Sequence, residues 1–305
     1  MSILDKLHKN LNPPPPDIPG KIDIPEEPPI PICGGTRHSQ DADAPTEIHS
    51  HDLVFFKAGT EGGRMGMQSR VYAAKAEKGT YIVIAEDEPR FALLSPDCDF
   101  LSRLDALVRE QNLIQGNGYH SRTAGLPADF GGSIDIRYAS GEFISKSDNQ
   151  SPIIPQKADQ AIHEIFMDAF SSCPKVQLPD PSLIRKVEYR EQGKDNYSLL
   201  TFERDGEAAK LSSENKYSSS DKVYKKEALV SASAFDRITE DVKKYCLFGL
   251  DGVEKYHVSS FEPSKKALTY VLSDGCKIVV PYFYGVIGGV SDIVFETERY
   301  LKSLL

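Results

Sequence analysis

The 305-residue sequence contains no tryptophan, and no run of apolar residues approaches the roughly 18–20 residues of a membrane span. Its cysteines are scattered and never spaced as C-x-x-C, so we expect neither a disulfide framework nor a zinc knuckle. The five are Cys33, Cys98, Cys173, Cys246 and Cys276. Unpaired cysteines are typical of a reducing compartment. The N-terminus lacks the apolar stretch of a signal peptide, because Ile3-Leu4 is followed at once by Asp5-Lys6. These absences predict a cytoplasmic protein without a transmembrane span.

Positive charge is also scarce. Lys and Arg number 36 against 45 Asp and Glu, which gives a net charge of −9. An acidic chain repels a phosphate backbone, and no dense basic cluster reverses this locally. Lys222, Lys225 and Lys226 come nearest to one, and we expect them at a solvated strand edge. The composition therefore predicts no nucleic-acid partner.

Specific catalytic and cofactor motifs are missing as well. The sequence has no G-x-S-x-G nucleophile elbow and no G-x-x-x-x-G-K-[ST] phosphate loop. Gly116-x-Gly118 follows a predicted helix rather than a strand, so it does not match a dinucleotide fingerprint. We therefore predict no catalytic residue and no cofactor, and we favour a protein that is not an enzyme.

Residues 1–45 read as a short amphipathic helix followed by a proline-rich linker. The helix is predicted over residues 2–11, with Ile3, Leu4, Leu7 and Leu11 on one face. About ten residues are too few for a stable isolated helix, so it docks on its own chain, frays, or docks on a protein partner or, less favoured because of its weak positive charge, on a membrane surface. Nine prolines between Pro13 and Pro31 favour a spacer, with an SH3-type ligand as the alternative. Either segment is a candidate contact for a protein partner.

The remaining sequence predicts two α+β modules, at residues 46–173 and 180–305. Elements predicted in the first module are strands at 51–57, 68–76, 80–86, 90–94, 133–139 and 142–147, and two helices. The first helix starts near Asp99 and ends before Gly116, and the second spans 157–171. Corresponding elements of the second are strands at 183–191, 196–203, 207–212, 222–230, 266–272 and 276–282, and helices at 234–246 and 290–304. Residues 34–44 and 116–132 read as loops. We expect each module to be an antiparallel sheet packed with two helices.

From Leu101 to Phe170, a constant offset of 134 residues relates the first half to the second, which indicates an internal duplication. Matching positions include Leu104 with Ile238, Ile134 with Leu268, Gly118 with Gly252 and Gly141 with Gly275. The glycines carry most weight, because a turn residue at positive φ has few substitutes.

His49 and His51 are the best candidates for metal ligands. On a strand, residues i and i+2 point the same way, so both imidazoles could reach one ion. The alternative is a solvent-facing pair, since the sequence nominates no further ligand beyond His38 or Asp52.

A second candidate site is the polar loop that contains His120 and Arg122. Together with Asp129, Asp148 and Asn149 it could form a small ligand-binding pocket. The alternative is that these residues shape the loop, with Asp148 and Asn149 acting as turn or capping residues. The matching loop of the second half keeps neither His120 nor Arg122.

Several short motifs resemble a group of uncharacterised bacterial proteins from gut Clostridia and related Firmicutes. They are Ala44-Pro45-Thr46-Glu47-Ile48, Asn117-Gly118-Tyr119, Gly125-Leu126-Pro127 with Phe130-Gly131, Tyr138-Ala139-Ser140-Gly141-Glu142 and Asp148-Asn149-Gln150. The resemblance covers residues 44–170. In that group the module occurs behind lipoprotein signals and behind short helices with proline-rich tethers, and no activity comes with the resemblance.

Together these patterns favour a non-catalytic binding or scaffold protein with a tethered N-terminal helix. The alternative is a ligand-binding or metal-binding enzyme or sensor that uses the loop around His120. The sequence leaves homo-oligomer formation open.

Overall fold

A computed structural model describes residues 35–60, 69–85, 88–126, 131–193, 195–218, 222–256, 266–282 and 290–305. These residues form fourteen strands in two sheets and four α-helices, so the predicted α+β class is confirmed. The predicted helix at residues 2–11 and the proline-rich linker lie outside the described residues.

The first sheet has eight strands in the order β1-β6-β8-β7-β2-β3-β4-β5. They are β1 (Thr36–Gln40), β2 (Leu53–Thr60), β3 (Ser69–Ala76), β4 (Gly79–Ala85), β5 (Arg90–Leu94), β6 (Tyr119–Thr123), β7 (Gly132–Tyr138) and β8 (Phe143–Asp148). Neighbouring strands are antiparallel except β6 and β8, which pair in parallel. The expectation of a wholly antiparallel first sheet was therefore wrong.

The second sheet has six antiparallel strands in the order β12-β11-β10-β9-β13-β14. They are β9 (Ile184–Gln192), β10 (Tyr197–Asp205), β11 (Ala208–Lys216), β12 (Val223–Ser231), β13 (Lys266–Leu272) and β14 (Lys277–Pro281). The edge strand β12 is largely exposed and carries Lys225 and Lys226, as predicted for these lysines.

The four helices are α1 (Phe100–Glu110), α2 (Gln156–Ser172), α3 (Ala234–Lys244) and α4 (Val290–Ser303). Their positions agree closely with the sequence pattern, because each has an apolar face at the 3.6-residue period. Asp99 occupies the N-cap position of α1, but its side chain makes no capping hydrogen bond.

Two strands lie where the sequence predicted loops. All five residues of β1 are exposed, so it has no alternation of apolar and polar residues that could mark a strand. It pairs antiparallel with β6, from Thr36 opposite Thr123 to Gln40 opposite Tyr119. These strands form because their backbones pair with residues distant in the chain. Such pairing cannot be predicted from the local sequence pattern.

Both faces of the first sheet are covered along its central strands. Leu53, Phe56 and Ile82 belong to a core shared with α1 and α2. Phe55 and Tyr81 belong to a second core, shared with residues of the second half. Burial on both faces explains why β2 and β4 read as continuous apolar runs instead of alternating ones.

The segment that follows α3 makes the contact with the first sheet. The Tyr81 hydroxyl donates to the carbonyl of Tyr245 at 2.6 Å, deep in this contact. At its rim, Lys255 Nζ lies 2.7 Å from Glu77 Oε2. Burial is the main cause that raises the pKa of Tyr81, so its hydroxyl stays protonated and acts as a donor.

Backbone details of the two halves correspond at the offset of 134. Asn112 and Cys246 are the two non-glycine residues with positive φ among those described, at 48° and 52°. Further matches are Gly118 with Gly252 and Gly141 with Gly275, all at positive φ. The hydrogen bond from Ser145 N–H to Asn117 Oδ1 is matched by one from Val279 N–H to Asp251 Oδ1.

Strand order corresponds as well. Leaving out β1 and β6, the first sheet reads β8-β7-β2-β3-β4-β5 and the second reads β14-β13-β9-β10-β11-β12. Strand β2 pairs irregularly with β7 between Leu53 and Phe55. Strand β9 pairs irregularly with β13 between Ile184 and Lys186. These positions of β2 and β9 correspond at an offset of 131 residues.

Cys98 and Cys173 form a disulfide, contrary to the expectation of unpaired cysteines. The bond joins residues 75 apart, next to the start of α1 and the end of α2. Two distant cysteines without a motif give no signal of pairing, and only the packing of α1 beside α2 brings them together. Cys246 and Cys276 are free thiols.

None of the described helices is long and apolar enough to cross a lipid bilayer.

Candidate functional site

A cleft of about 350 Å³ lies between α1 and the segment that leads into β2. Its apolar lining consists of Ile48, Val108, Ile114 and Ile144. Its polar lining consists of Thr46, Glu47, His49, Arg109 and Asn112. The volume is that of a small-ligand site, with a few polar groups around an apolar floor.

Beside the cleft, the buried carboxylate of Asp105 is the centre of a polar network. Asp105 is 4% exposed and lies on the sheet-facing side of α1. His51 Nδ1 lies 2.7 Å from its Oδ2 atom, and Arg109 Nε donates to the same oxygen at 3.1 Å. The Tyr138 hydroxyl donates to Oδ1 at 3.0 Å. These partners compensate the cost of burying the charge.

Arg109 links this network to the cleft. Besides Asp105, its guanidinium donates to the carbonyls of Ile48 and Ser50, which holds the segment before β2 against α1. The hydrogen bond to Asp105 is the main cause that raises the pKa of Arg109. Burial, and then the charge of Asp105, raise the pKa of Tyr138. Arg109 is therefore a cation and Tyr138 a neutral donor throughout the physiological pH range.

Glu142 fastens the same segment from the β7–β8 turn. Its carboxylate accepts hydrogen bonds from the backbone N–H groups of His49 and Ser50, at 2.7 and 2.9 Å, and from the Ser140 hydroxyl. The bond from His49, followed by that from Ser140, lowers the pKa of Glu142 to about 2. Glu142 is thus an ionised anchor for the backbone.

The predicted metal ligands His49 and His51 make different contacts. They precede β2, which starts at Leu53, so the expected strand geometry was wrong. His51 faces Asp105, whereas the backbone of His49 is bound by Glu142. Within the described ranges, no group of three or more His, Cys, Asp and Glu residues could hold a metal ion.

The predicted ligand-binding residues lie at the far edge of the first sheet. His120 and Arg122 are on β6, and His120 Nδ1 lies 2.9 Å from Ser147 Oγ. Asp148 accepts from the N–H groups of Gln150 and Ser151, as a turn residue does.

Asn149 is also engaged with the backbone. Its side chain accepts from the N–H of Thr123 and donates to the carbonyls of Thr123 and Leu126. Asp129 lies outside the described residues. The described part of this group therefore shapes the loop, and its use as a pocket stays a prediction.

Asp105, Arg109 and Tyr138 were not singled out from the sequence. The one available signal was Asp105, because a carboxylate four residues after Leu101 falls on the apolar face of α1. Its partner Tyr138 comes from a distant strand, which helix periodicity cannot reveal.

Chemically, the arrangement resembles a carboxylate–imidazole pair. Asp105 can orient the His51 ring by accepting from Nδ1, which leaves Nε2 to exchange protons with solvent. The His51 side chain is 73% exposed. The second half lacks this pair, since Thr239, Leu272 and Lys243 stand at the positions of Asp105, Tyr138 and Arg109.

No protein-family model matches the chain, and no curated protein matches it either, so the geometry above is the basis for any functional conclusion.

Proposed function

We propose that the chain consists of two copies of one α+β module. Support comes from the common strand order, the matched positive-φ positions and the matched hydrogen bonds of Asn117 and Asp251. Unrelated domains would not keep one offset through helix, turn and hairpin, because each needs its own loop lengths.

We propose further that the protein is a non-catalytic binding or scaffold protein. The observation that carries this proposal is that the halves share backbone features, whereas the polar network around Asp105 has no counterpart at the matching residues Thr239, Lys243 and Leu272. Catalysis requires a preorganised set of groups around reacting atoms. A shared backbone with different surface residues is typical of a module that serves as a structural support. The N-terminal segment offers a contact for a protein partner.

A comparison of variants tests the binding role. We expect a defined partner to be recovered in a fixed ratio with the full chain and lost with Leu7→Glu/Leu11→Glu, which removes the apolar face predicted for residues 2–11. Lys6→Gln/Lys9→Gln is the matched control, because it changes the polar face and leaves the apolar one. Equal recovery with all three chains would contradict this role for the N-terminal segment.

The second candidate is an enzyme, and the His51–Asp105 pair favours it. A general base of this kind would activate a water or a substrate hydroxyl. Turnover of any member of a panel of ester, amide and phosphate substrates, lost in His51→Ala, would support it and overturn the non-catalytic proposal.

The cytoplasmic location stays a prediction, and the Cys98–Cys173 bond counts against it. Disulfides persist in oxidising compartments and are rare in the cytosol. Alkylation of the chain in intact cells, followed by mass spectrometry, would decide. Labelling of all five cysteines supports a reducing compartment, and protection of Cys98 and Cys173 contradicts it.

A further inference from the structure

The cleft of the first half corresponds to a place that large side chains occupy in the second half. At the offset of 134, Phe248 stands at the position of Ile114 and Tyr270 at that of Ile136. Phe248 is 2% exposed, and its ring centroid lies 5.4 Å from that of Tyr270. Ile114, which lines the cleft, is smaller than the phenylalanine at its matching position, and the buried Ile136 is smaller than Tyr270, so fewer side-chain atoms fill this place in the first half.

The rim of the cleft also carries a different residue from the matching position in the second half. Leu178 matches Glu47 at the offset of 131 that relates the strands β2 and β9. Leu178 packs against the core that contains Phe248, whereas Glu47 is exposed at the cleft. In the second half, apolar side chains of the same chain fill the position that corresponds to the cleft. In the first half this position is open, and the Glu47 carboxylate lies at its rim.

Around Phe248, the second half makes a contact between protein surfaces. A Cβ atom added to the adjacent Gly249 would lie 3.0 Å from the Tyr81 ring and 3.3 Å from Leu93 Cβ. The matching residue after α1 is Gln115, which is exposed. At this position the second half therefore packs against the first sheet, whereas the first half is exposed.

The charged residues that line the cleft restrict the class of ligand that it can bind. Glu47 is the one carboxylate among the residues that line the cleft, and Arg109 is the one permanent cation. The Arg109 guanidinium is already engaged by Asp105 and by two backbone carbonyls. A positive group beside an apolar one therefore complements the cleft, since Glu47 would attract it at short range.

We propose that the first-half cleft binds a peptide segment in which a large apolar side chain, such as Phe or Leu, adjoins Lys or Arg. The apolar side chain takes the place that Phe248 and Leu178 fill in the second half, and the cation lies against Glu47. This inference rests on the proposed binding role and names the partner chemistry for that site.

Titration of the full chain with dipeptide probes, followed by backbone amide NMR, tests the inference. N-acetyl-Phe-Lys-amide should shift the amides of Ile48, Val108 and Ile114 with a dissociation constant on the order of 1 mM, as expected for so small a ligand. N-acetyl-Phe-Glu-amide should bind about twofold to fivefold more weakly, the range of one exposed ion pair. Phenethylamine separates a free amine from a peptide, and binding by it as tight as by the lysine dipeptide would overturn the peptide assignment.

Two variants give the matched controls. Ile114→Phe/Glu47→Leu places the second half's residues in the cleft, and binding of both dipeptides should be lost. Glu47→Gln keeps the room and removes the charge, so the preference for Lys over Glu should disappear while binding persists. Thermal unfolding of each variant checks that it is folded. If the double variant does not fold, Glu47→Gln still tests whether the Glu47 charge contributes to binding.

The inference is overturned if neither dipeptide shifts these amides, or if the filled variant binds as the wild type does. Partner recovery that depends on Leu7 and Leu11, with no dipeptide binding, would remove the cleft assignment and leave the proposed binding role standing.

Discussion

The same row of strand positions is interior in the first sheet and surface in the second. In the first, the row runs across four paired strands through Phe55, Ala74, Tyr81 and Leu93, all buried. In the second, the matching row is Lys186, Glu203, Lys210 and Leu229. Side chains of Glu203 and Lys210 are 42% and 58% exposed. One backbone arrangement thus serves two environments, and the side chains alone decide which face is covered.

The two sheets differ in what covers these faces. The second half covers the apolar face of the first sheet, while the matching face of the second sheet is polar and exposed. At the other end, a Cβ atom added to Gly118 would lie 2.6 Å from Ala44 Cβ, and one added to the matching Gly252 would lie 2.7 Å from Glu77 Cβ. The turn after β1 thus makes the contact with Gly118 in the first half that the first sheet makes with Gly252 in the second half.

The largest effect is expected from truncating the two matched leucines. Leu93 is 2% exposed and Leu229 is 74% exposed. Leu93→Ala should lower the free energy of unfolding by about 2–5 kcal/mol, because it leaves a cavity between the halves. Leu229→Ala should change it by less than about 0.5 kcal/mol. Urea unfolding of both variants measures the contrast, and equal losses would show that the two faces do not differ as described.

Removing the disulfide should have the next largest effect. The second half has Ala232 where the first has Cys98, so only the first half is cross-linked between its helices. Cys98→Ser/Cys173→Ser should lower the unfolding free energy by about 2–4 kcal/mol through the larger entropy of the unfolded chain. Cys276→Ser, at a free thiol, is the control. If a reducing agent leaves wild-type stability unchanged, the bond does not contribute as expected.

Transplanting second-half residues into the polar network tests whether the network is an addition to a shared framework. Asp105→Thr and Tyr138→Leu should each cost about 1–3 kcal/mol, because each leaves a buried polar partner without its hydrogen bond. Together they should cost less than the sum, with a coupling of about 0.5–3 kcal/mol. A double-mutant cycle in urea measures the coupling, and strict additivity would mean that the two side chains act separately.

The smallest effect concerns the anchor at the β7–β8 turn. The second half has Cys276 at the position of Glu142, and Asp274 accepts from the Cys276 N–H. Ser140→Ala removes one donor from Glu142, so its pKa should rise from about 2 toward the ordinary carboxyl value. Because the folded pKa is lowered, this contribution to stability is present above the ordinary value and is lost as pH falls toward 2. Carboxyl-carbon NMR titration measures the shift, and an unchanged pKa would exclude a role for the Ser140 hydroxyl.

Sequence patterns located most of the fold but little of the candidate site. Strand and helix positions followed from alternation and from the 3.6-residue period, and Gly141 and Gly275 marked two turns at positive φ. The strands β1 and β6 were not predicted, because neither the exposed residues of β1 nor the polar residues of β6 form an apolar alternation. Asp105 is visible as an odd residue on an apolar helix face, yet its partners His51 and Tyr138 come from elsewhere in the chain.

The order of the helices and of all strands except β1 and β6 was determined by the sequence itself, since short-range periodicity and turn glycines act over a few residues. The tertiary structure alone decided that Cys98 meets Cys173, that His51 meets Asp105 and that the second half covers the first sheet. Those contacts depend on which surfaces pack together, and packing joins residues whose separation along the chain carries no pattern.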